Sequence, residues 1–336
     1  MDIKHVLFAL SNASGTSGME NDIAEILKKE LAGYGDVTVD PMGNVMCTAG
    51  NPDAKRHILI EAHIDEIGLV VTHIDEKGFL RVAKVGGVDR RVLLGHEVIV
   101  LGREPLFGVV TCMPPHLIKD EDKKFPDFDK LAIDIGMDQD KAKKLVSVGD
   151  RIVLRQFAAE LQNGQVTGKA FDDRAGAAAV LYCLDLLKDK PLDVKVTALF
   201  SVQEEVGIRG AKVAAYTLDP DEAISVDVSF ALTPEAAKEK CGEAGKGPMI
   251  GFSPVLSPEM TQKLIDIAER ESIPYQKEIM GGVTSTDADS ISISRTGVKT
   301  ALLSIPLKYI HTAVETVSVS DIENTALLME KYIVTG

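Results

Sequence analysis

The stretch His57–Gly68, HILIEAHIDEIG, opens as an apolar β-type run and turns acidic around His63. A run of this length reads as a buried strand that delivers His63 to its carboxyl end. The same grammar recurs in Val194–Val202, VKVTALFSV, which leads into Glu204, and in Ala223–Val228, AISVDV, which passes through Asp227. Helical spacing separates these runs: Met19–Leu31 follows the Gly/Ser-rich Ser14–Gly18 and stops at Gly33, and Ala175–Leu187 and Pro258–Glu271 come later. Strands that alternate with helices predict an α/β fold, a sheet covered by helices on both faces. In open sheets of this kind, sites gather at the carboxyl ends of the strands.

From Val71 to Val166 the texture changes. Short β-type runs (FLRVAKVGGV, HEVIVLG, FGVVTCM, DRIVLR) sit between Gly-containing turns, and Asn163-Gly164 is flanked by polar/apolar alternation, which predicts a hairpin. The expected organisation is one domain made of residues 1–70 plus 167–336, interrupted by an inserted small β-barrel or sandwich over 71–166. The polar stretch Lys119–Lys130 is expected as an exposed loop of that insert.

Composition narrows the function. The chain has 336 residues, 45% apolar and 26% charged, which fits a globular protein with a sizeable core. Lys plus Arg number 37 against 51 Asp plus Glu, and the net charge of −14 repels nucleic-acid phosphates and anionic membranes. The longest apolar run, Ala175–Leu184, has ten residues and is too short to span a bilayer core of about 30 Å. The opening MDIKHVLFALSNASG has too short an apolar stretch, and an acid at Asp2, for a secretory leader. Cys47, Cys112, Cys183 and Cys241 are scattered without a CxxC spacing, which suits a reducing cytoplasm.

Five segments carry the residues that chemistry needs: EAHIDEIG (61–68), GKAFDDRAG (168–176), SVQEEVG (201–207), SVDVS (225–229) and YIHTAVE (309–315). His63 and His311 with Asp172, Glu205 and Asp227 form a mixed nitrogen/oxygen set that suits Zn²⁺, Co²⁺ or Mn²⁺, whereas Mg²⁺ and Ca²⁺ favour oxygen alone. Asp65 follows His63 by two residues, so on an extended strand it faces the same side and can accept the free imidazole N–H. A solvated turn acid, as Glu66 is expected to be, is the alternative for it. Asp172 or Asp173 could equally cap the helix that follows. Glu204 and Glu205 are neighbours that point apart on an extended chain, so they are expected to do different jobs. No GxSxG is present, Cys183 lies in an apolar helical segment, and GEAGKG (242–247) lacks phosphate-loop spacing, so a Ser or Cys hydrolase and a nucleotide fold lack support.

In this order, and together with SGTSGMEND (14–22), DPMGN (40–44), STDAD (285–289) and IPLKYIHTAVE (305–315), these segments resemble the M42 family of metallo-aminopeptidases over essentially the whole chain. The resemblance implies a di-metal exopeptidase fold, a mixed sheet covered by helices with an inserted small β-barrel. It implies two divalent cations per chain, Zn²⁺ or Co²⁺: His63 and Glu205 mainly on one, Asp227 and His311 on the other, Asp172 bridging them and Asp173 supporting. Glu204 would act as general base, with Asp65 behind His63, on a water that attacks the first peptide bond of short peptides. Thr286, Asp287 and Lys308 would line the substrate pocket. The insert would build dimers that assemble into a dodecamer. A deacylase or carboxypeptidase of the same clan would use nearly the same ligands. Cellulose cleavage fits poorly, because glycosidase carboxylates flank one bond at about 5–9.5 Å and use aromatic platforms, whereas this chain has no Trp and 5% aromatics. A non-catalytic scaffold fits less well still, since no expected ligand is replaced.

Overall fold

A computed structural model describes residues 1–113, 127–234 and 236–335. Among these, the central sheet has eight strands in the spatial order Asp36–Val39, Val45–Gly50, Lys195–Ser201, His57–His63, Glu222–Phe230, Lys299–Leu307, Met249–Phe252 and Gln276–Ile279. Lys195–Ser201, His57–His63, Glu222–Phe230 and Lys299–Leu307 run parallel, while Val45–Gly50 and Met249–Phe252 join them antiparallel. The sheet is therefore mixed, as the resemblance implied.

His57–His63 is buried along its whole length. That explains its unbroken apolar character, because a strand covered on both faces has no solvent side to alternate with. Its residues still divide with a period of two: Ile58, Ile60 and Ala62 join the core on one face, and Leu59 joins Leu199, Ala211 and Ala215 on the other. The first face is covered by Phe171–Leu187, where Ala175, Gly176, Ala177, Ala178 and Ala179 let the helix approach the sheet closely. Ile3–Asn12 and Val319–Val334 pack against that helix, and Gly210–Leu218 and Asp287–Ser292 cover the second face.

Helix Pro258–Glu271 has the predicted limits, with Ser257 accepting from Met260 N–H and Pro258 in the first turn. The first amphipathic helix is Asn21–Glu30, which leaves Met19 in the preceding turn. Within Phe171–Leu187, Asp172 and Asp173 depart from helical geometry, so the regular helix starts beside the predicted Ala175.

The insert is a closed six-stranded barrel in the order Gly68–Ile74, Leu80–Val85, Ala132–Asp134, Pro105–Val110, Glu97–Leu101 and Arg151–Leu154. It has its own apolar core, which includes Leu69, Val71, Leu80, Val98, Val100 and Ile152. Its strands run from Gly68 to Leu154, against the expected 71–166. The Asn163-Gly164 hairpin forms, with φ of 61° and 70° as a two-residue turn with positive φ at both centres requires. Its second strand, Gln165–Gly168, pairs with Glu315–Ser318 beyond the barrel, so the hairpin belongs to the large domain. Of the expected loop Lys119–Lys130, residues 119–126 lie outside the described residues, and Phe128–Lys130 forms a short 3-10 turn. No helix among the described residues is long and apolar enough to cross a membrane.

Candidate metal centre

Parallel neighbours bring the site together at one sheet edge. His63 ends its strand and Ser201, its cross-strand partner, ends the next, so the Gln203–Glu205 segment emerges beside it. Asp227 lies on the strand paired to the other side of His57–His63, and His311 follows the end of Lys299–Leu307. Asp172 enters from the start of the covering helix.

His63 Nε2 lies 3.1 Å from Asp172 Oδ1, and His311 Nε2 lies 3.2 Å from Asp172 Oδ2 and 3.1 Å from Glu205 Oε1. One carboxylate thus spans two imidazoles. Ligand-type atoms lie within 4.8 Å of one another in three triads, His63–Asp172–Asp227, Asp172–Glu205–His311 and His63–Glu204–Glu205. The two triads that share Asp172 put His63 with Asp227 and His311 with Glu205, while the third puts His63 beside Glu205, as the expected partition had it. Asp227 stands on the strand adjacent to that of His63, and the His311 segment folds onto the Glu205 turn.

Asp65 is fully buried and ties three parts of the site to one carboxylate. Its Oδ1 is 3.4 Å from His63 Nδ1 and accepts Glu204 N–H at 2.9 Å. Its Oδ2 accepts Glu205 N–H at 3.2 Å and the Ser17 hydroxyl at 2.5 Å. Glu204 and Glu205 are not on extended chain: they enter a turn after Gln203, whose φ is 59°. Their side chains nevertheless separate, Glu205 to His311 and Glu204 to 4.0 Å from His63 Nε2. The two aspartates of FDDR also divide the work. Asp173 Oδ1 accepts Gly176 N–H at 3.0 Å and caps the helix, while Asp172 faces the imidazoles.

Two glutamates have places that their sequence context did not disclose. Glu66, expected as a solvated acid, is buried, because Lys169 Nζ at 2.7 Å, Arg174 Nη2 at 3.1 Å and Gly15 N–H at 2.9 Å enclose it. Glu315 is buried and accepts His311 N–H at 2.8 Å and Asp172 N–H at 3.2 Å, joining the backbones of two ligand-type residues. The residues expected to line a substrate pocket lie apart in character. Thr286 is buried and caps Asp287–Ser292. Asp287 is 2% exposed, with Oδ2 2.6 Å from Ser201 Oγ, which also lies 2.8 Å from Glu61 Oε1. Lys308 is half-buried and donates to Gln165 Oε1 at 3.2 Å. A small cavity opens beside Asp172, Glu205 and His311 and is walled by Ile67, Leu154 and Thr312.

The electrostatics are those of a cation site. Burial, reinforced by Asp227, Asp287 and Glu205 against the pull of His63, pushes Glu204 up to about 9. Burial likewise raises Asp227, Asp173 and Glu205. Against burial, bonds to Asp172 and Glu205 lift His311 to about 11, and bonds to Asp172 and Asp65 lift His63. Asp172 is held well below the carboxylate range despite its burial, because His311 and His63 both bond it. The imidazoles thus carry, as protons, the positive charge that the carboxylates demand. Each triad around Asp172 offers one imidazole nitrogen and two carboxylates, a donor set that fits a divalent transition metal.

A family profile described as M42 glutamyl aminopeptidase matches residues 43–328. The lysyl aminopeptidase of Pyrococcus furiosus is 35% identical over 326 residues, 94% of this chain and 92% of that protein. Among solved structures, the aminopeptidase APDkam598 from Desulfurococcus kamchatkensis superposes with a TM-score of 0.92 at 36% identity, covering 98% of this chain and 94% of that one. The TET1 peptidase of Pyrococcus horikoshii, which assembles into a tetrahedron or a large octahedral shell, matches at 35% identity and a TM-score of 0.89 over 99% of both chains.

Asp65→Asn keeps the size of the side chain but removes the charge that faces His63 and halves its acceptor capacity for the Glu204–Glu205 turn. Co²⁺ affinity is expected to fall about 10- to 100-fold in titration calorimetry, with an unchanged circular dichroism spectrum. Wild-type affinity in this variant would show that Asp65 does not orient the ligand set.

Proposed function

The chain belongs to the M42 peptidase family, and from that premise we propose that it releases the first residue of short peptides through two divalent cations, Zn²⁺ or Co²⁺. It is an aminopeptidase of a metal-dependent family. His63, Asp172 and Asp227 would hold one cation and Asp172, Glu205 and His311 the other. The observation that supports this is the single carboxylate of Asp172, whose two oxygens face two different imidazoles. When bound, such a pair supplies Lewis acidity at the scissile carbonyl and makes a nearby water more acidic.

The protein's own residues do the rest. Glu204, half-buried and outside the triads that share Asp172, accepts the proton of the attacking water and returns it to the departing amine. Desolvation, reinforced by Asp227 and Asp287, makes it a stronger base than a free glutamate, and a cation held by Asp172 would draw it back towards ionisation. Asp65 fixes the backbone amides of Glu204 and Glu205, so the base and a ligand keep their separation. Of the three residues assigned to the substrate pocket, Lys308 alone is not buried, so contact with the side chain to be released falls to it. A cytoplasmic location is part of the proposal, and the four free cysteines suit it.

Self-association through the barrel, dimers building a dodecamer, is the proposed assembly. The shells of the Pyrococcus horikoshii relative and the exposed Phe107 on a barrel strand support it. Light scattering on a sizing column should give a mass many times that of one chain, and a fully active monomer would overturn it. For the mechanism, Glu204→Gln is expected to keep both metals and lose turnover by about 10²- to 10⁴-fold, beyond rescue by added metal. Glu205→Gln should lose metal first and regain part of its activity in excess Co²⁺. Metal analysis beside kinetics decides between them: metal loss in Glu204→Gln would reverse the two roles.

A further inference from the structure

The glycine pair that ends barrel strand Leu80–Val85 lies directly against the metal centre. A Cβ on Gly87 would stand 2.5 Å from His311 Nδ1 and 2.6 Å from its Cε1. One on Gly86 would stand 2.9 Å from Ile67 Cγ2 and 3.2 Å from Glu205 Oε2. Non-bonded heavy atoms settle at roughly 3.5–4.0 Å, so only a glycine lets the barrel backbone come this close. Gly86 has a φ of 75°, which itself favours glycine. Gly87 is not among the residues with positive φ, so its backbone accepts any side chain and the room it leaves is taken by the His311 ring.

The His311 segment is held to the barrel a second time. Ala313, 2% exposed, belongs to the barrel's apolar core, as does Val88 next to the glycine pair. Between these anchors His311 has a φ of 63° and Tyr309 one of 61°, conformations that non-glycine residues keep only when their surroundings impose them.

We infer that the barrel is a positioning element of the active site: the Gly87 backbone sets the plane of the His311 imidazole, and Ala313 pins the segment that carries it. The Asp172–Glu205–His311 triad is then built jointly by the two domains, whereas His63–Asp172–Asp227 is built by the large domain alone. The consequence for metal binding rests on the proposed function; the ring position does not.

Two readouts separate them. In metal-free protein labelled at histidine Cε1 and held at one pH, the His311 resonance, identified by its loss in His311→Gln, is expected to move in Gly87→Ala. The resonances of the five histidines other than His311 and His63, which shares Asp172 with it, should stay in place. Ala313→Gly adds no bulk and loosens the second anchor, so it should broaden the same resonance even where Gly87→Ala folds poorly. Ile133→Ala, which trims the barrel core beside Leu80, at the end of that strand opposite the glycine pair, should leave it unmoved. In calorimetric titration with Co²⁺, Gly87→Ala should keep one binding step and weaken the other about 10- to 100-fold. An unmoved His311 resonance in both anchor variants, or a Co²⁺ loss that Ile133→Ala matches, overturns the inference. A wild-type protein that takes up no Co²⁺ overturns the metal reading instead, and the resonance then decides the positioning alone.

Discussion

The constraint on which the site depends is the accumulation of buried negative charge at one sheet edge. Asp65, Asp172, Asp173, Asp227, Glu204, Glu205 and Asp287 converge there, all largely removed from water. Two like charges 4 Å apart repel by about 4 kcal/mol at an effective dielectric of 20, so these groups cannot all stay ionised without a partner. The convergence comes from parallel strands that end together, since the turns that follow His57–His63 and Lys195–Ser201 meet Asp227 and the helix openings at Asp172 and Asp287 there. The cores on both faces of the sheet hold those strands in register, so hydrophobic burial supports an arrangement that electrostatics alone would disperse.

Protein cations stand near enough to neutralise this charge and are kept from doing so. Arg174 is two residues from Asp172, yet its guanidinium points away, donating to the Leu10 carbonyl at 2.7 Å, the Ala13 carbonyl at 2.6 Å and Glu66 at 3.1 Å. Lys169 is likewise occupied by both oxygens of Glu66 and by the Ala13 carbonyl at 2.8 Å. Glu66 therefore takes up the positive charge of both at the wall of the same cavity. The acidity that a divalent cation requires is preserved by giving the local cations a different acid.

How far the sequence discloses this follows from what a linear pattern can carry. The period of apolar residues marked His57–His63, Lys195–Ser201 and Glu222–Phe230 as buried strands and put His63, Glu204 and Asp227 in or just beyond them. It carried no strand order, and the partition of residues around Asp172 is a matter of strand order: Asp227 meets His63 because their strands pair. The neighbours Glu204 and Glu205 diverge through a turn stabilised by Asp65, a contact across 139 and 140 positions, and not through strand alternation. Glu66 looked solvated because its cations come from residues 169 and 174. The hairpin at Asn163-Gly164 was visible from its turn chemistry alone, but its domain was not, since membership is decided by pairing with Glu315–Ser318.

The place of the insertion explains why the two domains share a site. The chain leaves the large domain just after His63 and Asp65, enters the barrel at Gly68, and returns along Gln165–Gly168 immediately before Asp172. Both connections therefore run through the ligand cluster. A domain tethered at two points a few residues from metal-type ligands must pack close to them, and close packing of backbone on an imidazole demands the missing side chain of Gly87. Pocket and barrel are thereby coupled: Leu154, the last residue of the barrel, and Ile67, the residue before it, wall the same cavity as Thr312. A change in how the barrel sits therefore reaches that cavity and the His311 ring together.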